Sequence, residues 1–305
     1  MKPKILIERL LIFFIGLPAV AALVIFLPFY NNLAMNLVAV FLSGIGAVEF
    51  SSMLKSKQIS FSKIESFILG ALAPFATTLN VSFSLPSWIV YILLLIGTGW
   101  VLLSTIAAKE FENIINKVIG GFSLIIYPGF FMLWLIKITE WGNSYIVLLF
   151  LIIIIASDSI AWLFGTLFGA NNRGFIAASP NKSIAGFIGG LLGPILVTLG
   201  AVFIKFPENI KFFPENVFLN KSVLFIIGIS IILSVVTGIA AMLGDLAESA
   251  IKRSCDFKDS GNFILGRGGV LDSIDSIAIA APVFYFLYYF LFIAQTLFIS
   301  SAAVF

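Results

Sequence analysis

A chain of 305 residues that is 60% hydrophobic and 11% charged, with mean hydropathy +1.12, is too poor in charge for a water-facing surface, since soluble domains carry about 25% charged residues. It has no histidine and one cysteine, Cys255, which excludes imidazole bases, Ser–His and Cys–His nucleophile pairs, most zinc chemistry and an internal disulfide framework. The net charge of +3 is spread out, with no basic patch of interleaved aromatics, so nucleic acid is not expected as a partner.

In hydrocarbon every backbone N–H and C=O needs an internal partner, which leaves helices or a closed barrel. The apolar runs are long and lack strict alternation, which favours helices. The fold expected is therefore an all-α polytopic integral membrane protein of about nine transmembrane helices. In chain order the runs fall near 10–30, 32–51, 66–80, 86–107, 118–138, 145–169, 184–204, 222–247 and 272–297. The first is expected to stay uncleaved: Ala19-Val20-Ala21 has the small residues of a signal-peptidase site, but the apolar stretch continues to Leu27, longer than a signal core. The third is the least regular, being interrupted by Pro74 and Asn80. No internal repeat or attached soluble domain is visible.

Orientation follows the lysines and arginines. With nine spans and a cytosolic N-terminus, one side collects Lys2, Lys4, Arg9, Lys55, Lys57, Lys63, Lys109, Lys117, Arg173, Lys182, Lys252, Arg253, Lys258 and Arg267, which is 14 of the 18 basic residues. The other side keeps Lys137, Lys205, Lys211 and Lys221. The N-terminus is thus expected inside and the C-terminus outside. The connections 170–183 and 248–271 share the cytosolic face.

Polar chemistry concentrates between Gly244 and Ser276. If the eighth span continues as a helix, Asp245, Glu248, Ser249 and Lys252 fall at i, i+3, i+4 and i+7 and line one face. The same pattern also describes a solvated charged turn closed by a Glu248–Lys252 pair. Asp272 and Asp275, at i and i+3, open the ninth span; they serve equally as acids at a helix N-terminus. Together the three aspartates make an oxygen-rich pocket, and converging carboxylates repel unless a cation joins them. Oxygen ligands without sulfur or imidazole point to Mg²⁺. The intervening loop, with Lys258, Asp259, Arg267, Gly268 and Gly269, is glycine-rich and flanked by Lys252 and Arg253, a composition suited to phosphate and also to a plain interhelical loop. In the other connection Ser179, Lys182 and Ser183 precede Gly186, Gly189 and Gly190. Either serine suits a helix cap and the glycines suit close packing; a second phosphate or nucleotide contact is the functional reading. Asp158, inside the sixth span, is costly there and defaults to a functional or network role.

The stretch Ser249-Ala-Ile-Lys252-Arg253, then Lys258-Asp259-Ser260-Gly261, then Gly268-Gly269-Val-Leu-Asp272-Ser-Ile-Asp275 resembles the signature of phosphatidate cytidylyltransferases (CDP-diacylglycerol synthases). Gly244-Asp245-Leu-Ala-Glu248-Ser249, Ser157-Asp158 and Ser179-Pro180-Asn-Lys182-Ser183 match in the expected order. The resemblance covers about residues 145–300 and divides the chain into 1–140, matched only as a set of spans, and 141–305, which carries the signature at 244–276. Arg267 stands where the family usually has histidine, Ser273 where it has arginine, and Leu265 where proline is common. Asn181 and Ala185 replace a typical lysine and glutamate.

The resemblance implies attack by the phosphate of phosphatidic acid on the α-phosphorus of CTP, giving CDP-diacylglycerol and pyrophosphate. A phosphomonoester is already anionic near neutral pH, so positioning and charge neutralisation suffice and no histidine is required. By the same resemblance Asp245 and Asp272, with Asp275, Glu248 and Ser249, would surround Mg²⁺, with K⁺ as a further occupant of the same centre. Lys252, Arg253, Lys258 and Lys182 would hold phosphates. Two relatives of this chemistry stay open: a CTP-dependent polyprenol or lipid kinase, and an inactive paralogue whose departures from the signature have cost it activity. An ion-coupled transporter is disfavoured, because such proteins show repeats and midplane sites whereas these acids fall at helix ends. The location expected is the cell (inner) membrane with the site facing the cytoplasm; the sequence leaves a homodimer open.

Overall fold

The computed structural model describes residues 15–106, 112–204, 210–214, 222–264 and 268–294. Among them the chain is helical with no strand, apart from two isolated bridges, Arg173 to Ser183 and Ile264 to Gly268. The helices are α1 (Leu17–Phe26), α2 (Phe29–Leu54), α3 (Lys63–Phe83), α4 (Trp88–Leu103), α5 (Ile114–Leu124), α6 (Leu133–Thr139), α7 (Ser144–Phe168), α8 (Ile184–Phe203), α9 (Val223–Ser254) and α10 (Leu271–Tyr288). A π-helical turn, Ile125–Phe130, joins α5 to α6, and another, Tyr289–Ile293, follows α10.

Seven helical segments among the described residues are long and apolar enough to cross a bilayer: Phe29–Lys57, Lys63–Phe83, Ile114–Thr139, Ser144–Phe168, Ile184–Phe203, Val223–Ser254 and Leu271–Ile293. Helix α4 is apolar but has 16 residues, fewer than the roughly 20 that span hydrocarbon without help. Outward-facing side chains such as Leu95, Trp162, Leu196 and Leu224 are large, apolar and exposed, the surface a lipid solvent requires. The protein is a multi-pass, all-α membrane protein. Over the described residues, each apolar run from the second to the ninth overlaps a helix or helix pair; residues 10–14 of the first, 107 of the fourth and 295–297 of the ninth lie outside the described residues.

The chain divides into two compact units, one of residues 1–144 and 247–278, the other of 145–246 and 279–305. In the first unit small residues set how closely helices approach, as expected where lipid offers no hydrophobic drive. A side-chain carbon on Gly70 would sit 2.9 Å from the Ser43 carbonyl oxygen, and one on Gly129 would sit 2.8 Å from that of Gly70. The Ser43 hydroxyl lies between the carbonyls of Gly70, at 2.7 Å, and Pro128. Helix α3 starts with a capping box of Ser62 and Glu65, which satisfies two otherwise unpaired N-terminal donors. It runs on through Pro74.

At α2 three successive residues, Tyr30, Asn31 and Asn32, adopt left-handed backbone with φ of 51–59°, which asparagine tolerates better than most. Side-chain amides hold this turn. Asn31 donates to the Val81 carbonyl at 2.8 Å, Asn36 to the Asn31 carbonyl at 2.9 Å, and the Ser144 hydroxyl to Asn32 Oδ1 at 3.0 Å.

In the second unit Gly186, Gly189, Gly190 and Gly193 of α8 pack against α7; the Ser157 hydroxyl donates to the Gly190 carbonyl at 2.8 Å. Phe150, Phe213, Phe284, Tyr288 and Phe292 form a buried aromatic cluster, and the Tyr288 hydroxyl donates to the Phe212 carbonyl at 2.8 Å.

Candidate functional site

Helix α9 continues as one helix through the acidic stretch to Ser254. It ends where Asp256 turns left-handed at φ +64° and the Phe257 N–H returns to the Lys252 carbonyl at 2.9 Å, the type of reversal that satisfies terminal carbonyls. Within the first unit Glu248 and Lys252 then face one another across one turn as an ion pair. The pair is not a solvated turn: the Glu248 side chain is 0% exposed and that of Lys252 13%. Lys252 Nζ also lies 2.5 Å from Asp272 Oδ1, so one ammonium joins carboxylates from α9 and α10.

Asp272 is held on its other oxygen as well. Oδ2 accepts the Gly269 N–H at 2.7 Å and the Ser260 N–H at 2.9 Å. This carboxylate sits in the first turn of α10, where the positive end of the helix dipole favours it. The two glycines before it are steric requirements. Gly268 has φ +106° and a carbon added to it would lie 2.6 Å from Asp272 Oδ2. A carbon on Gly269 would run into the Ser260 hydroxyl and the carboxylate of Glu49. Asp275 is buried, accepts the Ser276 N–H at 2.5 Å, and adds a second negative charge near Glu248. Both Glu248 oxygens are buried without a hydrogen-bond donor in good geometry, so the Lys252 ammonium supplies charge without completing their shell.

Glu49 is the member of this cluster that sequence reasoning missed. It projects from α2, and its carboxylate accepts the Val270 N–H at 3.0 Å, the Leu271 N–H at 2.8 Å and the Ser260 hydroxyl at 3.1 Å. The available signal was its presence as a lone acid within an apolar run, the same cost argument that singled out Asp158.

In the second unit Lys182 and Asp245 form an ion pair at 2.5 Å, with side chains 24% and 36% exposed. Ser183 is buried and caps α8, accepting the Gly186 N–H at 3.0 Å; Ser179 closes the preceding turn through its carbonyl and the Lys182 N–H at 3.1 Å. Asp158 is partly buried on α7. In the first unit Ser249 is partly buried, and Arg253, Lys258 and Asp259 are exposed around the loop. Arg267, with Leu265 and Gly266, lies outside the described residues.

Among the described residues no group of three or more His, Cys, Asp or Glu side chains converges as a ready metal cage. The donor chemistry nevertheless suits a hard cation: carboxylates and hydroxyls only, including the buried carboxylate of Glu248, which faces the Lys252 ammonium. Lysines are paired with the acids at Glu248, Asp272 and Asp245.

A family model described as the cytidylyltransferase family matches residues 7–291. The chain belongs to the cytidylyltransferase family. Among its relatives, the phosphatidate cytidylyltransferase of Staphylococcus haemolyticus (strain JCSC1435) is 33% identical over 272 residues, covering 88% of this chain and 95% of that protein. That of Staphylococcus epidermidis is 32% identical over 272 residues with the same coverage. That of Staphylococcus aureus (strain COL) is 29% identical over 275 residues. The matched residues fall in both units.

Proposed function

We propose that this protein is a CTP:phosphatidate cytidylyltransferase that makes CDP-diacylglycerol for phospholipid synthesis in the cell membrane, with its site on the cytoplasmic face. The observation that carries the reading is the buried Glu248–Lys252–Asp272 cluster inside a chain of the cytidylyltransferase family whose relatives are named for that activity. In the reaction an oxygen of the lipid phosphate attacks the α-phosphorus of CTP. The new P–O bond forms as the bond to the β-phosphate breaks, and pyrophosphate leaves.

The residues divide this work by charge. Lys182, Lys252, Arg253, Lys258 and Arg267 bind phosphate oxygens, and their charge offsets that gathering on the transferred phosphoryl group. Ser179, Ser183, Asp259, Gly268 and Gly269 shape the nucleotide contacts, the glycines by letting backbone approach closely. The lipid is already anchored in the bilayer, so binding has only to orient its headgroup. Asp245, Ser249, Asp272 and Asp275 are the ligands assigned to Mg²⁺, with K⁺ as a further occupant. This assignment rests on the resemblance and on the oxygen-only donor set. When bound, Mg²⁺ supplies electrostatic stabilisation of phosphate charge.

The test is pyrophosphate release from CTP by purified protein in detergent with phosphatidic acid. Release that disappears with chelator and returns with Mg²⁺ supports the reading. A protein that releases none, beside an active relative under the same conditions, is the inactive paralogue instead.

A further inference from the structure

Glu49 lies on α2, about 200 residues from the signature, and reaches none of the residues assigned to substrate through its own oxygens except by way of the backbone. Its carboxylate takes the N–H groups of Val270 and Leu271, two of the first donors of α10, which have no partner within their own helix. It also takes the Ser260 hydroxyl. Ser260 closes the circuit: its N–H donates to Asp272 Oδ2 at 2.9 Å, and its hydroxyl accepts the Asp272 N–H at 3.3 Å. Space for the carboxylate exists because residues 261 and 269 are glycine; a side-chain carbon at either would collide with Glu49. Thus an acid from one transmembrane helix pins the loop after α9 to the start of α10, and the pinned atoms are those that orient Asp272.

We propose that Glu49 is a positioning residue of the active site, acting on Asp272 through Ser260 and the first turn of α10; the catalytic part of this inference rests on the function proposed above. A carboxylate is needed for its geometry. Three donors converge on two acceptor oxygens, and a glutamine would set its own NH₂ against one of them. Removal of such supporting contacts lowers activity by about 10–100-fold where they orient groups in a site.

The experiment uses the full-length protein in detergent and compares wild type, Glu49→Gln and Ser260→Ala, with Glu140→Gln, an exposed ion-pair acid, as control. Hydrogen exchange is followed on peptides containing Val270 and Leu271, and kcat and KM are measured for CTP and phosphatidic acid. Glu49→Gln is expected to speed exchange at the start of α10 at least tenfold. It is also expected to lower kcat about 10–100-fold while both KM values stay within about threefold. Ser260→Ala leaves the two N–H bonds to Glu49 in place and is expected to lower kcat by about tenfold; it carries the test if Glu49→Gln does not fold. Faster exchange with unchanged kcat reduces Glu49 to an anchor and overturns the proposal, as does unchanged exchange. A wild-type protein without CDP-lipid formation defeats the proposed function, whereas the exchange result judges the Glu49 clamp without reference to activity.

Discussion

Replacing Lys252 with methionine removes the one ammonium shared by Glu248 and Asp272 while keeping a long apolar stem. The side chains concerned are 13%, 0% and 7% exposed, so water cannot take over the contact. Breaking a buried ion pair by deleting one partner costs about 3–5 kcal/mol. Asp272 keeps two backbone N–H groups on Oδ2, which argues for the lower end, about 3 kcal/mol. At roughly 2–4 °C per kcal/mol for a large domain, the unfolding midpoint falls by roughly 6–12 °C. Glu248 and Asp272 both lie against that ammonium, so adding Glu248→Gln removes the charge left unpaired, supplies an NH₂ donor, and is expected to restore at least half of the loss. The single cysteine is a built-in reporter, since Cys255 is 3% exposed and reacts with a thiol dye only on unfolding. Heating in detergent at one fixed rate keeps the comparison valid where unfolding is irreversible. A Lys252→Met midpoint within about 2 °C of wild type, or a double variant no better than the single one, would refute the buried-pair argument.

Asp272→Asn keeps the shape of the side chain but loses an acceptor among Lys252, Ser260 and Gly269, and CDP-lipid formation should fall by about 10²-fold or more; unaffected turnover would remove Asp272 from the site. Lys182→Met breaks only a half-exposed pair with Asp245, worth about 0–1 kcal/mol. Its midpoint should therefore hold while KM for CTP rises about tenfold, the loss of one phosphate contact of about 1.4 kcal/mol; an unchanged KM would show that Lys182 does not meet the nucleotide. Gly189→Ala would place a carbon 2.6 Å from the Ile160 carbonyl oxygen and should cost about 1–3 kcal/mol of stability. Gly228→Ala, with nothing within 4 Å, should be neutral or stabilising by up to about 1 kcal/mol, and equal effects at the two sites would contradict the packing described.

The helices were legible because lipid imposes one rule on every backbone group, and an apolar run of the right length satisfies it only as a helix. Even the run broken by Pro74 and Asn80 is a 21-residue helix; its Ser62–Glu65 capping box was readable but lay outside the apolar stretch. The reversal at Tyr30–Asn32 was not legible, because its left-handed backbone depends on partners at Val81 and Ser144. In the site, helical spacing suggested the Glu248–Lys252 pair, since one helix determines it. Spacing could not show that the same lysine reaches Asp272 across a loop, nor that the pair is buried. Glu49 could be marked as a lone acid in an apolar run, but not its partners: its bonds span 211 to 222 residues of sequence, and no local pattern records a contact between distant helices. The glycines at 261 and 269 read as loop flexibility or a phosphate cradle; that they also make room for the Glu49 carboxylate is visible only in three dimensions.

Cytidylyl transfer to a lipid phosphate is read from the fate of the nucleotide phosphates. Purified protein is given phosphatidic acid, Mg²⁺ and CTP labelled on either the α- or the γ-phosphate, and the lipid is extracted and counted. The expected result is α-label in a CDP-lipid and γ-label released in pyrophosphate. Label from the γ-position entering a lipid substrate, with CDP left behind, would make the protein a lipid kinase and contradict it.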